Sequence, residues 1–360
     1  MQDIVTEYFN RGFLLTPEAL ELIAKEQDDF EIASGGFVLD KNSFITRDRI
    51  KILKNFTEKK SEVTTEDFVK FYTSKYEKMK NIILSRIQKD FISLNKTDSM
   101  RSDAYIIGIV REIREDGSKK VLELEDMTTN IPVIFDGPAA ADVEIDDVIA
   151  VHAITGGKVL FGKEVLFPDI PIRSPTQGTG KACFVSDLHL EAAPEKEIER
   201  FFSWFDRSDI KNLFVAGDIG DRNSFQELAG RNNNKSFFVI PGEKDGADYP
   251  QTPMEFTQKN ITSLSNPALV EMNGIKILIT HNMSPALLKK RHIGKPTSVL
   301  STDYMALEEV PDIVHFGHSH TPQIINYKSV TMVNSGSLLS DFKPVIIDFA
   351  SRDAKFAKVE

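Results

Sequence analysis

Five times in the C-terminal half of this chain, a short run of β-branched and aromatic residues ends in a polar cluster. Lys181 through Ser186 runs into Asp187-Leu188-His189. Later come Gly217-Asp218-Ile219-Gly220-Asp221, Gly242-Glu243-Lys244-Asp245, Thr280-His281 and Gly317-His318-Ser319-His320. Short apolar runs bounded by such residues predict strands. In open α/β sheets the carboxyl ends of the strands converge on one edge, where binding groups collect. The series therefore demands a fold whose strands deliver five polar clusters to one place.

Each fragment alone is weak. An isolated Asp-x-His is usually a surface or capping pair, an isolated Gly-Asp a turn, and a single histidine a satisfied core residue. The ordered set carries the signal, and it takes in four of the seven histidines. Of the remaining three, His315 is strand-internal and reads as structural, while His152 and His292 receive no role. Imidazole and carboxylate together suit manganese, iron, zinc or nickel, and the lack of thiolates argues against a structural zinc. Two ions about 3.5–4 Å apart can clamp a phosphoryl group and supply hydroxide. The available ligands are Asp187, His189, Asp218, His281, His318 and His320, with Glu243 as a seventh. Manganese is the first expectation for two such divalent ions.

A chain of 360 residues is long enough for two or three domains. Residues 1–95 read as mainly helical. Thr16-Pro17-Glu18 is a helix start, and a second helix begins near Thr64 or Thr65, with a stripe through Phe68, Tyr72, Tyr76, Met79, Ile83, Ile87 and Phe91. From Ala104 the period switches to two, and strands are predicted over Ala104–Arg111, Lys119–Glu125, Ile131–Phe135, Val148–Ile154 and Val159–Phe167. Five short strands in so short a span suit an OB-type barrel over 104–172. They carry few aromatic or basic residues, and Asp142, Glu144, Asp146 and Asp147 are acidic. That fits a barrel packed against protein better than one that binds DNA. Ser174 to Gly180 is a boundary, and strands and helices alternate over 181–360.

The formal charge of −10 argues against gripping nucleic acid by bulk electrostatics. It leaves room for a nuclease whose ions and partner subunit supply the positive charge. The single cysteine, Cys183, reads as a small buried hydrophobe. No apolar stretch suits a membrane span and no secretory signal is seen at the start, so a cytoplasmic protein is expected.

The ordered motifs resemble the calcineurin-like metallophosphoesterase superfamily, whose pattern is Asp-x-His, Gly-Asp-x-x-Asp, Gly-Asn-His-Asp/Glu, His, Gly-His-x-His. With a helical region and a barrel ahead of them, the whole chain is similar to the small subunits of archaeal family D DNA polymerases. Leu14 to Leu20, the Tyr76–Arg86 helix and Phe167-Pro168-Asp169-Ile170-Pro171 add local likeness. The resemblance implies an α/β four-layer metallophosphoesterase sandwich over 181–360, in a multidomain chain. It implies one ion held by Asp187, His189 and His320, and another by His281, His318 and the residue at 243, with Asp218 bridging. The implied activity is 3′→5′ exonucleolytic removal of nucleotides from a DNA 3′ end. The implied partner is the large catalytic subunit of the polymerase.

The third motif departs from the pattern. Gly242-Glu243-Lys244-Asp245 stands where the superfamily has Gly-Asn-His-Asp. Glu243 exchanges a neutral oxygen ligand for a carboxylate. Lys244 replaces the histidine implied to protonate the leaving oxygen, and Asp245 keeps its place. A lysine, with a reference pKa of about 10.4, is a poor general acid at pH 7, and losing that function typically costs ~10²–10⁴ in rate. Two readings stay open: a nuclease subunit of reduced activity, and an inactive scaffold that binds and stabilises the large subunit.

Overall fold

The computed structural model describes residues 2–26, 30–32, 37–40, 44–46, 50–57, 64–99, 102–297 and 300–359. Two six-stranded sheets face each other in the C-terminal half. In the first, Lys181–Val185, Asn212–Ala216, Ser236–Ile240 and Ile261–Ser263 run parallel. Val345–Asp348 and Ala354–Phe356 continue it antiparallel. Its parallel strands are near-continuous apolar runs because both faces are covered. The two-residue period sorts their side chains. Cys183 and Val185 turn toward the helices Glu195–Arg207 and Arg222–Arg231, which bury Phe201, Phe202, Phe205 and Phe225. Ala182 and Phe184 turn the other way, toward Val270, Ile277, Ile279 and Val333 of the second sheet.

The second sheet orders its strands as Pro322–Tyr327, Val330–Ser335, Ile313–His315, Ile275–Ile279, Ala268–Met272 and Ile50–Asn55. Its outer face is covered by a loop-rich layer holding Ile170, Met283, Leu288, Ile293, Met305 and Leu307. Helices, two sheets and this outer layer make an α/β sandwich.

The last of those strands lies in the segment whose pattern predicts helix. Ile50–Asn55 pairs antiparallel with Ala268–Met272. Ser265 fixes its end: the Phe56 N–H donates to Ser265 Oγ at 2.7 Å, and the Ser265 N–H donates to Asn55 Oδ1 at 2.7 Å. The first 95 residues are therefore mixed. Helices span Gln2–Asn10, Pro17–Glu26 and Thr65–Arg86, while short strands at Leu14–Leu15, Phe30–Ile32, Val38–Leu39 and Phe44–Thr46 intervene. Propensity loses here to a tertiary partner far along the chain, as is usual for edge strands.

Asp103–Asp116, Lys119–Glu125, Asn130–Asp136, Val148–Thr155 and Leu160–Leu166 close into a five-stranded barrel. The first strand pairs with the second and fourth, the second with the third, and the fourth with the fifth, all antiparallel. A parallel pairing of the third and fifth completes closure. Gly162 permits that last contact, because a Cβ there would collide with the Phe135 ring.

The helix Thr65–Arg86 starts with a capping box made by Thr64 and Asp67. It buries Tyr76, Met79, Ile82 and Ile83 against Ile107, Ile109, Val148 and Ala150 of the barrel and Ala306 of the sandwich. The barrel's acidic run meets lysines of the sandwich. Lys289 lies 2.8 Å from Asp142, Lys290 lies 2.7 Å from Glu144 and 2.9 Å from Asp147, and Lys295 lies 3.2 Å from Asp146.

Candidate metal centre

The five polar clusters leave the carboxyl ends of five strands drawn from both sheets. Lys181–Val185, Asn212–Ala216 and Ser236–Ile240 precede Asp187, Asp218 and Glu243 respectively. Ile275–Ile279 precedes His281, and Ile313–His315 precedes His318 and His320. Asp187, His189, Asp218, His318 and His320 all take left-handed backbone conformations, with φ of 53°, 44°, 51°, 67° and 52°. Such residues cost of order 1–3 kcal/mol each and persist only when their surroundings enforce them. Cross-loop hydrogen bonds supply that enforcement. Asp187 N–H donates to Gly217 O at 3.1 Å, His189 N–H to Asp218 O at 3.0 Å, and Gly317 N–H to His281 O at 3.0 Å. The loops approach so closely that Gly242 has no room for a Cβ beside the Asp218 carboxylate. At Gly317 a Cβ would sit 2.6 Å from Asp187 Oδ2.

Two triads result: Asp187 with His189 and His320, and Asp187 with Asp218 and His281. Within each, one potential ligand atom per residue lies within 4.8 Å of the others. His320 Nε2 is 3.4 Å from Asp187 Oδ1 and 3.2 Å from His189 Nε2. His281 Nε2 is 3.4 Å from Asp218 Oδ2 and 4.0 Å from Asp187 Oδ1. The carboxylate common to both triads is Asp187, whereas the superfamily pattern leads one to expect Asp218 between the ions.

His281 shows what the cluster is suited to hold. Its Nδ1 lies 2.7 Å from the Ala216 carbonyl. That contact assigns a proton to Nδ1 and turns Nε2 toward the carboxylates, the orientation usual for metal-bound histidine. Nε2 is buried and makes no hydrogen bond. Burial would lower the His281 pKa, but the attraction of Asp218, the Ala216 carbonyl and the charge of Asp187 outweigh it and push it up to about 9. Burial raises the Asp187 carboxyl, with His281 and His320 opposing. Burial also acts to raise Asp218, yet His281 and the Lys244 N–H hold it below the usual carboxylate range. Two buried carboxylates thus favour positive charge at Nε2, and a divalent cation would satisfy the same demand. The residues present fit such an ion.

The third motif stands apart. Glu243 Oε1 lies 3.5 Å from His318 Nδ1, but the Glu243 side chain is 64% exposed and that of His318 45%. Neither joins a triad, although the His318 ring centroid is 5.6 Å from that of His281. Lys244 contributes its backbone, with its N–H donating to Asp218 Oδ1 at 2.8 Å. Asp245 braces its own loop by accepting from the Gly242 N–H at 2.8 Å. His152, His292 and His315 lie outside both triads. His152 stacks on Tyr105, His292 faces Asp303 at 3.3 Å, and His315 is buried against Phe184.

A sixth polar cluster supports the centre and is absent from the motif series. Asn334-Ser335-Gly336-Ser337 ends the strand Val330–Ser335. Asn334 Nδ2 donates to Gly317 O at 2.9 Å and to Ser319 Oγ at 3.1 Å, while its Oδ1 accepts from Gly336 N–H at 2.8 Å. Ser337 Oγ donates to the Asp187 carbonyl at 3.0 Å. The same strand-then-polar pattern marks this segment, but it lacks acidic and imidazole groups and so carries no ligand signal.

Residues 181–353 match the calcineurin-like phosphoesterase superfamily domain. The chain is 27% identical to the DNA polymerase II small subunit of Archaeoglobus fulgidus, over 93% of this chain and 90% of that protein. It is 26% identical to the protein of the same description from Thermoplasma acidophilum, over 92% of this chain and 85% of that one. Among solved structures, a novel archaeal phosphodiesterase overlaps 49% of this chain and 99% of its own, with 18% identity and a TM-score of 0.36.

Proposed function

We propose that this chain, which carries a calcineurin-like phosphoesterase domain and is homologous along most of its length to archaeal DNA polymerase II small subunits, is itself such a subunit. Its chemistry would be 3′→5′ exonucleolytic hydrolysis of DNA, and its partner the large polymerising subunit. We read the chain as a mixed N-terminal unit over 1–95, a barrel over 104–172 and a phosphoesterase unit over 181–360. The strand order supports an OB-type barrel, in which the parallel pairing of third and fifth strands is the closing contact. No helix among the described residues is long and apolar enough to cross a membrane, and we place the activity in the cytoplasm.

The observation that carries the reading is the pair of triads around Asp187, with the unsatisfied His281 Nε2 between two carboxylates. Asp187, His189 and His320 would hold one divalent ion. Asp187, the carboxylate common to both triads, would hold a second with Asp218 and His281, with Glu243 and His318 at its rim. Manganese suits this donor set, as do iron, zinc and nickel. Two such ions, when bound, supply Lewis acidity toward the phosphoryl oxygen and an activated water.

The remaining work falls to the chain. The Ala216 carbonyl holds the His281 tautomer, and the Lys244 N–H orients the Asp218 carboxylate. Water adds to phosphorus, the P–O3′ bond breaks and a proton passes to O3′. Lys244 can offset phosphate charge but replaces a better acid, so turnover is slow, with solvent supplying that proton. The exposed Glu243–His318 pair favours the second reading, an inactive scaffold that stabilises the large subunit.

The test is degradation of a 3′-labelled single strand by the purified full chain with manganese, against an Asp218→Ala control. Degradation above that control is expected. Equal rates, together with an undiminished complex with the large subunit, leave the scaffold reading standing and remove the nuclease.

A further inference from the structure

The edge strand Ile50–Asn55 is bulged. Its register against Ala268–Met272 shifts between Leu269 and Val270, so that Ile52 opposes Val270, Lys54 opposes Leu269, and Leu53 is the extra residue. A bulge re-aims side chains. Strict alternation would turn Leu53 and Lys54 to opposite faces. Here both line one pocket of about 310 Å³, walled by the second sheet, the helix Thr65–Arg86 and the loop 304–309. That volume is at the lower end of the roughly 300–1,000 Å³ usual for small-molecule sites. With Leu53, the side chains of Leu269, Leu278, Ile293, Tyr304 and Leu307 make the walls apolar.

The charges around this pocket do not cancel. Lys78 lies 3.3 Å from Glu308 and donates to Asp303 O at 2.7 Å. Glu309 pairs with Lys276. Lys54 is left with a neutral partner: its Nζ donates to Ala306 O at 3.0 Å, and it makes no ion pair among the described residues. Burial and then the neighbouring Lys78 push its pKa down to about 8, against the attraction of Asp303 and Glu308. A hydrogen bond from an ammonium to a carboxylate is roughly twice as strong as a neutral one. One surplus positive charge suits a monoanion. A phosphate monoester, with about −1.5 to −2 charge at pH 7, would bring more negative charge than Lys54 balances, in a wall that already holds Glu308 and Glu309.

We infer that this pocket binds a small monocarboxylate with an apolar body, its carboxylate on Lys54 Nζ and its hydrocarbon against Leu269, Leu278 and Ile293. The site uses none of the proposed metal ligands and goes beyond the phosphodiesterase reading. Its walls come from the N-terminal strand and helix and from the sandwich, so a bound acid ties these parts together. A ligand that binds only the folded chain stabilises it by mass action.

Calorimetric titration of the full chain tests this, with octanoate as the probe and octan-1-ol and acetate as controls for its two parts. Octanoate is expected to bind at least about ten-fold more tightly than either, the worth of one charge-assisted bond or of a few buried methylenes. Lys54→Met keeps the apolar stem and removes the ammonium, and it should bring octanoate down to the affinity of octan-1-ol. Lys54→Arg should retain most of the affinity. Octanoate should also raise the melting temperature of the unaltered chain, and that of Lys54→Met much less. The comparison of octanoate with octan-1-ol on the unaltered chain holds even where Lys54→Met folds poorly. Octanoate bound no more tightly than octan-1-ol, or equally well by Lys54→Met, overturns the inference. Neither readout involves manganese or DNA, so failure here leaves the phosphodiesterase reading intact, and an inactive nuclease leaves this site standing.

Discussion

The buried triads of the metal centre and its rim are built to different standards. Asp187 and His189 are buried and hold His320 in contact at 3.4 Å and 3.2 Å. Glu243 and His318 pair with each other at the rim, 3.5 Å apart and largely in solvent. The departure from the superfamily pattern falls on the rim. A buried ligand cluster cannot exchange a member without leaving a polar atom unsatisfied, at roughly 1–3 kcal/mol or more for a charged group. A rim side chain pays no such cost. The difference teaches that the buried triads are constrained by folding as well as by chemistry, whereas the rim answers to chemistry alone and changes once chemistry relaxes.

The largest expected effect comes from the group both triads share. Asp187→Ala should lower manganese per chain, read by elemental analysis, to near zero and reduce nuclease activity to that of the Asp218→Ala control. Retention of one ion per chain would show that the triads bind independently, and the contrast would then rest on two separate sites. Next in size is restoration of the rim. Glu243→Asn with Lys244→His should raise the 3′→5′ rate by ~10²–10⁴, the usual worth of a general acid. An unchanged rate would break the comparison, because the rim would then not be what limits turnover.

How much of this was legible in the sequence depends on what fixes each residue. The convergence of Asp187, His189, Asp218, His281 and His320 into two triads was legible because the ordered set of strand-end clusters, and no single fragment of it, points to one edge of a sheet. The five barrel strands were legible through their two-residue period. The strand Ile50–Asn55 was not, because its partner is Ala268–Met272 and an edge strand with Ile50 and Ile52 half-exposed has a weak pattern. The acidic run at Asp142–Asp147 read as unfit for DNA, but its purpose appears only once Lys289, Lys290 and Lys295 lie opposite it. Whether Glu243 turns inward or pairs with His318 was beyond the sequence, since no packing constrains an exposed side chain. Asn334 escaped because amides at strand ends are ordinary caps until their partners are known.

Asn334 gives an intermediate prediction. It holds the Gly317–Ser319 turn that carries His318 at the rim. Asn334→Ala should weaken manganese binding about 10–100-fold, the usual range for residues that orient ligands, with a smaller loss in melting temperature. A fall in manganese affinity out of proportion to the fall in melting temperature would separate orientation from folding.

The smallest effect concerns the seam beneath the triads. His315 lies between the sheets, its ring 5.2 Å from that of Phe184, on the strand that leads to His318. Burial pushes its pKa down to about 3, and neither ring nitrogen finds a hydrogen bond. In the unfolded chain the same group titrates near 6.5. Between those values the unfolded chain binds a proton that the folded one refuses, so this contribution is fully present above about pH 6.5 and is lost as the pH falls toward 3. At pH 5 the loss relative to neutral pH is about 2 kcal/mol. Denaturant titrations of the metal-free chain at pH 7 and pH 5 should therefore show a smaller acid-induced fall in stability for His315→Leu than for the unaltered chain. Parallel curves would mean that the seam opens to water in acid, and the buried triads would then owe their order to bound metal and not to the fold.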